Sequence, residues 1–237
     1  MRRHPLQAIR ALGKLIRDPE QTAEVFVIMR SLSGDALERG CARFEKTPVG
    51  KALLASGRDI VPVLSDRAAL AQLPEGSLGR TYLALVQKAG ITADGLVEAS
   101  EETASEYATL TPAQGLYAMR LRDTHDLWHT VTGYGTDPFG EVCVVAFSYA
   151  QTRNLGFAAI ATIGAIKIAR ERKDLRVFGA VWRAFRDGRR AAWLPAVEWE
   201  RLLALPLGDV RRSLGNVPPS RYEALRAVSS VAVAQAA

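Results

Sequence analysis

The sequence predicts an all-α protein, and three observations lead to that prediction. Residues that cap helices precede a proline at several positions, which is a common way for a helix to begin. These pairs are Asp18-Pro19, Thr47-Pro48, Thr111-Pro112 and Asp137-Pro138. Apolar residues recur at helical spacing, and no alternating run is convincing enough for a sheet. We expect a single-domain multi-helix bundle over residues 1–237, with an apolar passage between helices.

The expected helices follow one another along most of the chain. Ser77 caps a helix with one apolar stripe that Gly90 stops, and Gly133 ends a longer helix. The predicted helical segments are 1–17, a helix from Pro48, 67–73, 78–89, one from Thr92 or Asp94 to 106, 112–132, 138–169, 175–190, 195–204, 206–214 and 220–231. Residues 218–237 form the expected C-terminal helix and tail.

The segment 142–169 is apolar nearly all round, so it is buried or lines an apolar space. Polar residues at 151–154 interrupt it, which argues against a membrane-spanning helix. Its glycines and alanines leave room for close helix packing or for a ligand chain. An ordinary core helix and a lipid passage therefore both remain open.

The basic residues are unevenly distributed. The chain has 31 lysines and arginines and 25 acidic residues, a net charge of +6. Residues 1–17 are predicted to form a basic amphipathic helix and contain no acid, and residues 167–190 hold nine bases and three acids. Such segments are solvated helix faces or contacts for an anionic partner. Because no nucleic-acid-binding motif accompanies them, we expect an anionic membrane surface and no nucleic acid.

A pair of histidines is the strongest indication of chemistry. His125 and His129 lie four residues apart, which places both imidazoles on one face of a helix, and Asp126 lies beside them. Glu141 follows at the start of the next expected helix, which can return a carboxylate to the pair. Two imidazoles with carboxylates suit zinc, manganese or Fe(II). The alternative is a pair of hydrogen-bonded core histidines.

Three segments resemble the coenzyme Q (ubiquinone) biosynthesis protein 4 family. The first is His-Asp-x-x-His followed after eleven residues by Glu, here His125, Asp126, His129 and Glu141. The others are LPEGSLGRTYL at 73–83 and the C-terminal segment in which Trp199-Glu200 precedes LPL at 205–207 and VRRSL at 210–214. Together they cover about residues 15–217 in the family's order.

The resemblance implies a fold, a reaction and a ligand set. The fold is all-helical, and His125, Asp126, His129 and Glu141 are the metal ligands and catalytic residues, usually with zinc. Iron or manganese is an alternative because zinc is redox-inert. The implied reaction is oxidative decarboxylation at C1 of a polyprenylated 4-hydroxybenzoate-type intermediate. This ubiquinone precursor, the other ubiquinone biosynthesis enzymes and a second copy of the chain, in a homodimer, are the expected partners.

Four further residues are candidates for substrate binding. Arg122 lies three residues before His125 and Arg120 five before, so either guanidinium is placed to hold the substrate carboxylate, unless both are solvated at the surface. Trp128 and Tyr134 are candidate walls for the head group, with core packing as the alternative.

Two other functions remain open at this point. One is a non-catalytic lipid-binding scaffold that organises the ubiquinone enzymes, and the other is an unrelated metal-dependent hydrolase. We expect a peripheral location on the inner, cytoplasmic face of a bacterial membrane, or on the matrix side of a mitochondrial membrane if the source is eukaryotic.

Overall fold

The computed structural model describes residues 31–95, 98, 110–216 and 218–235. Within these ranges every named element is a helix, and an isolated antiparallel bridge joins Ser77 to Pro206. The predicted all-α fold class is therefore confirmed. The expected helix at 1–17 and most of the segment between 92 and 106 lie outside the described residues.

The described helices are numbered here in chain order. They are α1 (Ala36–Phe44), α2 (Pro48–Ser56), α3 (Val61–Ser65), α4 (Arg67–Gln72), α5 (Leu78–Lys88), α6 (Pro112–Asp123), α7 (His125–Thr132), α8 (Pro138–Thr152), α9 (Leu155–Arg172), α10 (Arg176–Arg190), α11 (Trp199–Leu202), α12 (Leu207–Ser213) and α13 (Ser220–Gln235). A 3₁₀ turn, Leu194–Ala196, precedes α11. The predicted helix at 195–204 is thus a 3₁₀ turn and a short helix, because the chain is extended at Val197 between them.

Two helices predicted as continuous are interrupted. The segment 112–132 is divided at Thr124, whose backbone leaves the helical region with φ −91° and ψ 2°. Its hydroxyl donates a hydrogen bond to the Arg120 carbonyl at 2.8 Å. The segment 138–169 is divided at Arg153, which adopts the left-handed conformation with φ 58°. Asn154 then caps the next helix by accepting from the Gly156 N–H.

The described helices group into two compact units. One comprises residues 31–36, 134–190 and 218–235, and the other comprises residues 37–133 and 191–216. They are called here the hairpin unit and the histidine unit. Each is described by itself, and the predicted single-domain organisation stays a prediction.

The hairpin unit is built from α8, α9 and α10, which pack on one another, with α13 against α10. Its core includes the expected apolar segment and Cys143, which is a buried free thiol. A Cβ on Gly164 of α9 would lie 2.3 Å from a methyl of Val142, so that glycine permits close packing of α8 and α9. No helix in the described part of the chain is both long and apolar enough to span a membrane.

The histidine unit holds α7 in a frame of other helices. Helix α7 packs against α5 and α12, and α4 packs against α5. The first turn of α5 is tied to the C-terminal segment, because the Leu78 and Gly79 N–H groups donate to the carbonyls of Leu205 and Leu203 at 2.9 and 2.8 Å. The segments at 73–83 and 199–214 thus support the helix that carries both histidines.

Candidate metal centre

The helix that carries the histidines is anchored at its C-terminal end. Helix α7 stops at Gly133, whose φ of 78° is easily adopted by glycine. The Arg211 guanidinium of α12 donates hydrogen bonds to the carbonyls of Thr130 and Val131, both at 3.0 Å. A cation that binds the last carbonyls of a helix also interacts favourably with the helix dipole. The anchored helix sets the positions of the histidines one and two turns earlier.

His125, Asp126 and His129 form a compact group. Each offers one ligand atom, and these three atoms lie within 4.8 Å of one another. The imidazole centroids of His125 and His129 are 4.7 Å apart, with the rings inclined at 71°. Nδ1 of His125 is 3.5 Å from Oδ1 of Asp126. The predicted cluster on one helix face is present. Among the described residues, it is the group of three His, Cys, Asp or Glu side chains placed closely enough to hold a metal ion.

Burial is graded across the group. His129 is buried, the Asp126 side chain is 20% exposed, and the His125 side chain is 40% exposed. The cluster therefore has a protected side at His129 and an accessible side at His125, which is suitable for a ligand that arrives from solvent or from a membrane.

The electrostatic surroundings keep Asp126 ionised. Burial raises the pKa of this carboxyl, but the hydrogen bond from His125 and the electrostatic interactions with His125, His129 and Arg67 outweigh it, so that the pKa is lowered overall. An ionised carboxylate is the form that binds a metal ion.

The donor set fits a divalent metal ion. Metal bonds to imidazole and carboxylate are about 2 Å long, so two ligands of one ion lie up to about 4 Å apart and small side-chain rotations suffice. Two histidines and one carboxylate are found in iron sites with open positions and in three-ligand zinc sites that bind water or substrate. The residues present therefore suit a reactive metal better than a closed structural one.

Glu141 belongs to the hairpin unit. It lies in the first turn of α8, where Asp137 caps the helix by accepting from the N–H groups of Phe139 and Gly140. Its side chain is half-buried. Because the other three residues belong to the histidine unit, the fourth ligand position of Glu141 stays a prediction.

The two arginines predicted to hold the substrate are engaged within the protein. Arg120 is buried and forms a two-pronged pair with Glu200, with N–O distances of 3.1 and 2.9 Å, and also donates to the Val197 carbonyl at 3.1 Å. Arg122 pairs with the neighbouring Asp123. Substrate binding by these arginines stays a prediction.

The two predicted aromatic walls are both buried. Trp128 lies on α7 in the histidine unit. Tyr134 lies in the hairpin unit, where its ring meets Tyr222 edge-on and its hydroxyl donates to Asp187 at 3.5 Å. These contacts are those of core residues, and contact with a substrate head group stays a prediction for both.

Sequence reasoning missed two residues near the cluster. Arg67, the first residue of α4, has its guanidinium carbon 5.7 Å from the ring centroid of Tyr82 on α5. Burial raises the pKa of the Tyr82 hydroxyl to about 12, although the charge of Arg67 opposes this. Nothing in the local sequence indicates that either residue meets α7, because three separate helices bring them together.

The comparisons with known proteins come from sequence and from structure. A family model described as coenzyme Q (ubiquinone) biosynthesis protein Coq4 matches residues 1–220. The mitochondrial ubiquinone biosynthesis protein COQ4 homolog of Bos taurus is 28% identical over 221 residues, which cover 93% of this chain and 81% of the relative. The mitochondrial COQ4 protein of Podospora anserina is 30% identical over 183 residues, which cover 76% of this chain and 57% of the relative.

The chain spans 49% to 61% of the length of four fungal relatives. A crystal structure of a ubiquinone biosynthesis protein from Nostoc punctiforme PCC 73102 aligns with a TM-score of 0.64 at 22% identity, covering 90% of this chain and 98% of that one. This structural likeness supports the fold.

Proposed function

Because the chain belongs to the coenzyme Q (ubiquinone) biosynthesis protein Coq4 family, we propose that it acts on a ubiquinone precursor at the metal centre formed by His125, Asp126 and His129. The family match supports a role in ubiquinone biosynthesis. The proposed reaction is oxidative decarboxylation at C1 of a polyprenylated 4-hydroxybenzoate-type intermediate. The observation that carries the proposal is the compact group of two imidazoles and one carboxylate on α7.

The protein's contribution to this reaction follows from the burial of the group. His129 and Asp126 would hold the metal from the buried side of the cluster, and His125 lies on the accessible side. Glu141 is proposed as a fourth ligand on the resemblance alone. When bound, the metal supplies a Lewis acid that withdraws electrons from the oxygens of the head group. Zinc is the first candidate on the resemblance, and iron or manganese are the alternatives.

The stoichiometry requires a co-reactant. The bond from C1 to the carboxyl carbon is broken, CO₂ leaves, and a C1–O bond is formed in its place. The ring loses two electrons in this exchange, and we propose that dioxygen accepts them together with two protons and leaves as hydrogen peroxide. Water then supplies the oxygen of the new C1–O bond. The side chains of the cluster need only hold the head group and the metal while this occurs.

A membrane contact for the lipid substrate is proposed on α10. Phe178 and Trp182 are exposed on one face of α10, Trp182 by 61%, and Leu175 in the turn just before the helix is 78% exposed. The exposed bases Arg186 and Arg189 continue the same face. Exposed aromatic residues beside bases are suited to an anionic membrane surface. Residues 1–17, outside the described residues, are proposed from their sequence to add a second basic helix.

The reaction is tested with a carboxyl-labelled precursor that carries a short prenyl chain. Protein loaded with Zn²⁺, Fe²⁺ or Mn²⁺ is incubated with it in air, and labelled CO₂ and the hydroxylated ring are measured. We expect both products with at least one metal, and their loss in Asp126→Asn. The control is Asp209→Asn, which changes an exposed aspartate of α12.

Two results would contradict the proposal. One is equal product formation by wild type and Asp126→Asn. The other is no product with any metal, together with normal ubiquinone synthesis in cells that carry only Asp126→Asn. The second result would instead support the non-catalytic scaffold.

A further inference from the structure

Arg67 is a half-buried cation whose charge acts on Asp126, without a direct ion pair in the described part of the chain. Its side chain extends from the first turn of α4 and lies over the ring of Tyr82. Both terminal guanidinium nitrogens are inaccessible to solvent, and neither has a hydrogen-bond partner of good geometry among the described residues. The Tyr82 hydroxyl is near enough to the guanidinium to interact with it by charge and by hydrogen bonding, but it offers one neutral oxygen and no carboxylate.

Buried hydrogen-bond donors without acceptors are costly, and a buried charge is more costly still. Arg120, in the same unit, shows the usual solution, because its two terminal nitrogens meet the two carboxylate oxygens of Glu200. The terminal nitrogens of Arg67 have the same planar, two-pronged geometry and no corresponding carboxylate in the described part of the chain.

The guanidinium shares the electrostatic environment of the histidine cluster. Its charge acts on the carboxylate of Asp126, and both Arg67 and Asp126 act on the Tyr82 hydroxyl. Helix α5, which carries Tyr82, packs against both α4 and α7. An anion bound by Arg67 would therefore lie beside the proposed metal site.

We propose that Arg67 binds the carboxylate of an aromatic carboxylate substrate through its two terminal nitrogens, next to the cluster of His125, Asp126 and His129. This inference rests on the proposed function, since it assigns the residue that orients the leaving carboxylate. The Tyr82 ring holds the guanidinium in place from one face. Loss of CO₂ removes the bound anion, so the same contact favours release of the decarboxylated product.

The test compares two probes that differ only in the carboxylate. 3-Prenyl-4-hydroxybenzoate carries it and 2-prenylphenol lacks it, and the binding of each to Zn²⁺-loaded protein is measured by calorimetry. Wild type is expected to bind the carboxylate at least tenfold more tightly than the phenol, with about 10- to 100-fold weaker carboxylate binding in Arg67→Gln. Phenol binding and zinc content should be unchanged in that variant.

Two further variants complete the test. Arg67→Lys keeps a cation near Tyr82 but lacks the two-pronged geometry, so it should bind the carboxylate about tenfold more weakly than wild type. If Arg67→Gln does not fold, Arg67→Lys alone tests whether Arg67 binds the carboxylate. Arg58→Gln, which changes an exposed arginine of the same unit, should bind both probes like wild type.

The inference is overturned if the Arg67 variants weaken both probes equally, if they leave carboxylate binding unchanged, or if wild type does not prefer the carboxylate. Its failure is distinguishable from failure of the proposed function. A protein that binds the carboxylate through Arg67 but releases no CO₂ supports the inference and contradicts the reaction.

Discussion

At the scale of single residues, the pair formed by Arg120 and Glu200 is the clearest buried electrostatic contact of the histidine unit. Burial raises the pKa of the Glu200 carboxyl, but the hydrogen bonds and the charge of Arg120 outweigh it and lower the pKa overall. Removal of one partner of such a pair leaves an uncompensated charge in a poorly solvated place. The contact therefore holds α6 to α11.

We expect Arg120→Met to lower the free energy of unfolding by about 3–5 kcal/mol, because Glu200 then remains buried without its cation. Urea denaturation followed by circular dichroism measures the change. Arg201→Met is the matched control, since Arg201 is exposed and pairs with Glu198, and its cost should stay below about 1 kcal/mol. Equal effects of the two substitutions would contradict this interpretation of the pair.

The same pair predicts a dependence on acid. A carboxyl whose pKa is lower in the folded state contributes stability that is fully present above its unfolded pKa, about 4.3 for Glu, and is lost as the pH falls through the folded pKa. The difference in unfolding free energy between wild type and Arg120→Met should shrink as the pH falls. The decrease begins above the unfolded pKa, because burial raises the pKa of Glu200 in the variant that lacks Arg120, and it continues as the wild-type carboxyl is protonated. A difference that does not change with acid would argue against the charge of Glu200 as its source.

At the scale of helices, α8 and α10 approach each other closely at one glycine. A Cβ on Gly188 would lie 2.6 Å from the Phe147 carbonyl oxygen and 2.9 Å from the Ala150 Cβ. The Gly188 carbonyl also accepts a hydrogen bond from Gln151 at 2.6 Å. The backbone contact allows little adjustment at this position.

Gly188→Ala is therefore expected to cost about 1–3 kcal/mol of stability, because the added methyl meets backbone atoms. Gly179→Ala on the same helix is the control. A Cβ there has only the end of Arg221 near it, at 3.5 Å, so the change should stabilise by up to about 1 kcal/mol through helix propensity. Thermal denaturation of the two variants distinguishes them, and a stabilised Gly188→Ala would refute the close approach.

The sequence predicts where a helix begins or ends when the residues next to that boundary determine it. The cap residues and prolines correctly placed the starts of α2, α6 and α8. The break at Thr124 was missed because its side-chain hydrogen bond to the Arg120 carbonyl leaves no strong trace in composition. The break at Arg153 had a signal in the polar run at 151–154, and Asn154 is the cap that completes it.

The same distinction applies to the site. The group of His125, Asp126 and His129 is local to one helix, so its spacing was sufficient to predict it. Arg67 approaches through α4 and α5, and the partner of Arg120 comes from a segment 80 residues away. Single-sequence patterns carry no information on such contacts, and both were missed.

At the scale of the whole molecule, the proposed membrane contact predicts a change in vesicle binding. Trp182→Ser should weaken binding to vesicles that contain anionic lipid by about tenfold or more, because a large exposed aromatic surface is lost. The double variant Arg186→Gln with Arg189→Gln should also weaken vesicle binding, and the loss should be larger at low salt than at high salt.

Leu205→Ser is the control for these variants, since it removes an exposed apolar side chain from the histidine unit. It should leave vesicle binding at the wild-type level in a sedimentation assay. Comparable losses for Leu205→Ser and Trp182→Ser would show that the face of α10 has no special part in membrane contact.

The central claim is that His125, Asp126 and His129 hold a metal ion, and elemental analysis of protein purified without a metal-binding tag tests it most directly. We expect about one transition-metal ion per chain in wild type and in Asp209→Asn. His125→Ala, which alters a partly exposed side chain, and Asp126→Asn should each lose most of it while remaining folded. A wild-type protein without stoichiometric metal, or ligand variants that retain it in full, would contradict the claim.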